Sequence, residues 1–61
     1  MFSVGDIVEW AQPDFGDITY FGVVEEIRGD YNTNFYTVRW FDDGLVNDYL
    51  EQDLKLTIKV S

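Results

Sequence analysis

The chain contains no cysteine and no histidine. Without cysteine there is no disulfide, no thiolate zinc ligand and no thiol nucleophile. Without histidine the commonest zinc ligand and general base are also gone. These two absences exclude zinc enzymes and Ser-His-Asp or Cys-His hydrolases. Basic residues are scarce: only Arg28, Arg39, Lys55 and Lys59 stand against twelve acids, a formal net charge of −8. Residues 1–27 and 40–54 carry no Lys or Arg. A surface that neutralises phosphates needs a basic face, because counterion release supplies most of the affinity. Neither nucleic acid nor an anionic membrane surface is therefore an expected partner. No apolar run approaches membrane-spanning length. The stretch from Phe2 to Trp10 is broken by Gly5, Asp6 and Glu9, so it does not read as a signal peptide. A soluble, cytoplasmic protein is the expectation.

Helix formers are few, and alanine occurs once, at Ala11. What the chain has instead is rings and β-branched residues. With 61 residues it is expected to form one domain, residues 1–61. A domain of this size buries only about 60% of the surface its unfolded chain exposes. Eleven aromatic residues, each able to bury roughly 150–250 Å², supply the bulk that a small core needs.

Punctuation falls at regular intervals: Gly5-Asp6, Pro13-Asp14-Phe15-Gly16, Arg28-Gly29-Asp30, Asn32-Thr33-Asn34 and Asp42-Asp43-Gly44. The segments between are rich in Val, Ile, Thr, Tyr, Phe and Trp, a pattern that predicts short strands in an all-β sandwich or barrel. Five strands are expected, at about Ile7 to Trp10, Ile18 to Ile27, Phe35 to Phe41, Leu45 to Leu50 and from Leu54 onward. At most one 3₁₀ turn is expected, near residues 51–53. Gly22, inside the second strand, suggests a bulge or sharp bend, and Asp43-Gly44 a tight hairpin turn. In the third strand Tyr36, Val38 and Trp40 share one face, and Phe35, Thr37, Arg39 and Phe41 the other. In the fourth, Leu45, Asn47 and Tyr49 oppose Val46, Asp48 and Leu50. Leu54, Leu56, Ile58 and Val60 alternate with Lys55 and other polar residues, which predicts one buried and one wet face. With Val8, Val24, Val38 and one aromatic from each of strands two to four, these four are the expected core.

The catalytic and metal-binding motifs fail on their particulars. Asp30-x-Asn32-x-Asn34 is spaced like the start of a calcium loop, but Phe35 stands where glycine is required and Phe41 where the closing glutamate belongs. Paired carboxylates at Asp14/Asp17 and Asp42/Asp43 lack a chain large enough for a water-excluding cleft. The glycines are isolated, so no phosphate-cradling loop is formed. No cofactor, metal or enzymatic activity is expected.

The order of elements resembles a known family. Val4-Gly5-Asp6-x-Val8 opens a first strand, Gly22-Val23-Val24 sits in a second, Tyr36-Thr37-Val38-Arg39-Trp40-Phe41-Asp42-Asp43-Gly44 makes a third strand and turn, and Asp53-Leu54 enters the last. The chain thereby resembles the five-stranded SH3-like small barrels, in particular Tudor-like domains and small SH3-like proteins of phages and bacteria. The resemblance implies a binding fold reused for many tasks. Against the aromatic cage of Tudor domains, Trp40 matches one ring and Tyr20 another, allowing one inserted residue. The first-loop position falls on Gln12, flanked by Trp10 and Phe15, and the hairpin position on Asp43.

In a barrel of this kind the first loop and the second hairpin meet at one end. That would bring together Trp10, Phe15, Tyr20, Trp40 and Phe41, rimmed by Asp14, Asp42 and Asp43. Rings attract cations by about 0.5–2 kcal/mol, and the carboxylates add to the attraction. The expected function is a non-catalytic module that captures a basic or cationic protein segment. The alternative is a structural or assembly protein with its rings buried against a partner. Self-association is left open, with the fourth strand as the expected edge.

Overall fold

The computed structural model describes residues 1–11, 19–30 and 32–60. The protein is all-β. Strands β1 (Ile7–Trp10), β2 (Phe21–Asp30), β3 (Thr33–Trp40), β4 (Val46–Leu50) and β5 (Leu54–Ile58) are joined by one 3₁₀ turn, Glu51–Asp53, between β4 and β5. They form one antiparallel sheet in the order β4-β3-β2-β1-β5. A closed barrel is not what the hydrogen bonds draw. Among the described residues the edge strands β4 and β5 do not pair, so the sheet stays open. Their link is the 3₁₀ turn, which carries the chain from one edge to the other and touches β3 and β5. The Asp53 carboxylate accepts the Leu50 N–H at 3.3 Å and fixes that turn.

A flat single sheet cannot dry either face, because it has no second layer to pack on. Yet Val8, Val24, Tyr36 and Val38 are fully buried, with Phe2, Trp40 and Leu54 nearly so. The sheet must therefore curl around its own concave face. Two register shifts accompany the curl, between Val24 and Glu26 in β2 and between Ile7 and Val8 at the β1–β5 seam. A bulge of this kind bends a strand and increases its twist. Gly22 has a different task from the expected bulge. A Cβ there would sit 2.6 Å from Val38 Cγ1 and 2.8 Å from the Arg39 carbonyl oxygen, so the missing side chain lets β3 approach β2.

Burial corrects the expected core. Val8, Val24, Val38 and Leu54 are inside, but Leu56, Ile58 and Val60 are 40%, 60% and 56% exposed. The period of two in β5 holds from Leu54 to Leu56 and is broken by the register shift before Ile58, which pairs with the outward-facing Ile7; β5 is also an edge strand, and solvent reaches it beyond Leu54. Strand β2 runs on to Asp30, through the Arg28-Gly29-Asp30 segment expected to be a turn, because Gly29 and Asp30 pair with Asn34 and Thr33. The predicted start of that strand at Ile18 lies outside the described residues.

Asp6 closes one end of the fold. It is fully buried, and its carboxylate accepts the backbone N–H of Val60 at 2.9 Å and of Ser3 at 2.8 Å. These bonds, the Val60 one foremost, hold Asp6 below its ordinary carboxylate range. No helix among the described residues is long and apolar enough to cross a membrane.

Candidate functional site

The opposite end of the concave face is open and aromatic. Strand β1 ends at Trp10, whose N–H donates to the Tyr20 carbonyl at 3.1 Å, so these two residues are held side by side. Across the sheet, Trp40 ends β3. Its N–H donates to the Leu45 carbonyl at 3.0 Å, and its carbonyl accepts from Gly44, which takes the left-handed φ of +73° that the turn requires. The hairpin carries two carboxylates that organise it: Asp42 Oδ1 accepts the Asp43 N–H, and Asp43 Oδ1 accepts the Leu45 N–H. Strand β4 then returns with Asn47 opposite Val38 and Tyr49 opposite Tyr36, and so on the inward face.

These residues enclose a cleft of about 280 Å³ lined by Trp10, Tyr20, Trp40, Asp42, Asp43, Leu45, Asn47 and Tyr49. The Tyr49 ring meets Trp10 edge to face at 5.4 Å and Trp40 at 5.5 Å. Tyr49 also accepts the Trp40 indole N–H at 2.9 Å. These contacts join the walls, and Trp40 is nearly buried while Tyr20 is 39% exposed at the mouth. No basic residue lines the cleft among the described residues. Arg39, next to Trp40 in β3, points to the other face and is held by Glu25 at 2.8 Å. The cleft therefore combines four rings with two carboxylates and no cation of its own.

Five residues singled out from the sequence, Trp10, Tyr20, Trp40, Asp42 and Asp43, come together here. Phe41 does not. It is the first residue past β3, 60% exposed, its N–H donating to the Phe21 carbonyl, and it does not line the cleft. Asp14 and Phe15 lie outside the described residues. Sequence reasoning left out Leu45, Asn47 and Tyr49 as lining, although their alternation in β4 had already put them on one face. Among the described residues no group of acids is placed to hold a metal ion. No protein-family model, curated protein or solved structure matches the chain.

Proposed function

We propose that the protein is a non-catalytic binding module whose aromatic and acidic cleft captures a cationic side chain, a Lys, Arg or methylated amine, presented by a basic protein segment. The observation that carries this is the convergence of Trp10, Tyr20, Trp40 and Tyr49 on one cleft with Asp42 and Asp43 at its rim. Ring faces attract a cation, more so as it is desolvated, and two carboxylates without a neighbouring base raise its local concentration. On the same reading the sheet is that of an SH3-like barrel. The support is the strand order, the long bent β2 and the single 3₁₀ turn before the last strand. A second reading, as an assembly component, is favoured by the outward-facing Phe21 and Phe41, 41% and 60% exposed.

Tryptophan fluorescence tests the cleft, because both tryptophans are in its wall. A Lys-rich peptide is expected to change the emission saturably, with an affinity that falls as salt is added. A Glu-rich peptide of equal length is expected to leave it unchanged. Equal responses to both peptides, or none to either, would remove the proposal.

A further inference from the structure

The convex face of the sheet is unusually apolar for a surface left to water. Because Val8, Val24 and Trp40 point inward, their strand neighbours point outward. The register then lays out one row across all five strands, Ile58, Ile7, Val23, Arg39 and Val46, each paired with the next. Beside it runs a second row, Lys55, Glu9 and Phe21, continued by Phe41, whose N–H donates to the Phe21 carbonyl. Ile58 and Phe41 are each 60% exposed, and Phe21 and Val46 are both 41% exposed. An antiparallel sheet with one wet face ordinarily alternates apolar-in with polar-out. Here apolar side chains occupy the wet side on β1, β2, β4 and β5 and just past the end of β3, as at an association surface.

Charge identifies the occupant. Three of the four basic residues, Arg28, Arg39 and Lys55, are on this face, with Glu9, Glu25, Glu26 and Asp48. Among the described side chains, three positive groups against four negative leave this face nearly neutral, on a chain of net charge −8. Two of the bases are also locally matched: Arg28 lies 3.3 Å from Glu26 and 3.8 Å from Asp48, and Arg39 is 2.8 Å from Glu25, while Lys55 stands opposite Glu9 in the strand register. A basic partner is drawn to the acidic cleft end instead. A second copy, repelled by the net charge elsewhere, meets least repulsion here.

We infer that the convex face is a homodimer interface, with Phe21, Phe41 and the Ile7–Val23 row at its centre. In a two-fold arrangement each copy offers the same patch, so that Lys55 of one copy can face Glu9 of the other. The inference does not depend on the cleft and its ligand.

The test is the solution mass of the whole chain by sedimentation equilibrium over about 0.01–1 mM. The wild type is expected to approach twice the 7.1 kDa chain mass, at lower concentration as NaCl is raised, because salt screens the repulsion between two −8 bodies. Phe41→Lys and Ile58→Lys alter exposed side chains and lower the net negative charge, so neither weakens the dimer by raising the overall repulsion between the two bodies. Each is expected to weaken association at least tenfold, with an unchanged β-sheet circular dichroism spectrum. A wild type that stays monomeric at 1 mM overturns the inference, and so does a dimer that survives both substitutions. If a variant fails to fold, dilution of the wild type followed by amide NMR decides. Shifts are expected at Phe21–Val23 and Arg39–Phe41. Shifts confined to β4, or none, place the contact at the sheet edge or nowhere and overturn it.

Discussion

The indole N–H of Trp40 donates to the hydroxyl of Tyr49 at 2.9 Å, and the two rings meet edge to face, 5.5 Å between centres and 79° between planes. One residue ends β3 and the other lies in β4, the edge strand, so this contact holds the mouth of the cleft to the body of the sheet. Tyr49 also packs on Trp10 from β1, which makes it the hinge between the two walls.

Tyr49→Phe keeps the ring and removes the acceptor. A nearly buried indole N–H is then left without a partner, at a cost of about 1–3 kcal/mol. Urea unfolding is expected to show that loss, and the tryptophan emission of the folded variant to shift. An unchanged midpoint would mean that the bond contributes nothing.

Gly22→Ala is expected to destabilise by roughly 1–3 kcal/mol. The new Cβ would sit 2.6 Å from Val38 Cγ1, 2.8 Å from the Arg39 carbonyl oxygen and 3.0 Å from Trp40 Cε3. A backbone oxygen cannot rotate away as a side chain can, so β2 and β3 must separate beneath the tryptophan. Thermal melts of the two proteins compare them directly, and an equal melting temperature would refute the close approach.

Leu54→Ala and Leu56→Ala separate core from edge on one strand. Leu54 is 6% exposed and Leu56 40%. The first is expected to cost about 2–5 kcal/mol and the second less than half as much. Equal losses in denaturant unfolding would put Leu56 back in the core.

That pair also shows what was legible in the sequence. The period of two in β5 holds for Leu54 and Leu56, but the register shift opposite Ile7 and Val8 turns Ile58 to the other face, and alternation does not report whether anything covers a face. The edge position of β5, a property of the whole sheet, decided its burial. Strand β1 and the 3₁₀ turn fell where the punctuation put them, since Gly5-Asp6 and Glu51-Gln52-Asp53 act locally. Arg28-Gly29-Asp30 misled because turn-forming residues there are overridden by pairing with Thr33 and Asn34. At the site, Trp40 ends β3 and Phe41 opens the turn, so only Trp40 was carried into the cleft. The alternation of Leu45, Asn47 and Tyr49 was in plain view, but its relation to Trp10 and Tyr20 depends on the curl of the sheet.

Acid should weaken the fold through Asp6 and Glu51. Backbone N–H groups, Val60 first, hold Asp6 below its ordinary range, and the Tyr36 hydroxyl, donating at 3.0 Å, does the same for Glu51. A carboxylate with a depressed folded-state pKa contributes stability that is complete above its unfolded value, about 4. That contribution is lost as the pH falls through the lower folded value. Protonation of exposed acids acts in the opposite sense by relieving repulsion, so the difference between two proteins is the cleaner measure. The stability gap between wild type and Asp6→Asn is expected to narrow from pH 7 to pH 3. A gap independent of pH would contradict the role of the Asp6 charge.

Moderate salt is expected to raise the melting temperature. In about 0.3 M NaCl the Debye length is only about 5–6 Å, which screens the mutual repulsion of a chain of charge −8. A lower or unchanged melting temperature would mean that repulsion does not limit the fold.

The central claim, that the cleft between Trp10 and Trp40 captures a cation, is tested most directly by NMR titration of the labelled protein with a Lys-rich peptide. The two indole N–H signals and the amides of Asp42, Asp43 and Leu45 are expected to shift together along one saturation curve. An Asp42→Asn/Asp43→Asn protein keeps oxygens able to accept the turn's hydrogen bonds and is expected to bind at least tenfold more weakly. Shifts that gather on the Phe21–Phe41 face, or signals that do not move at all, would contradict the account.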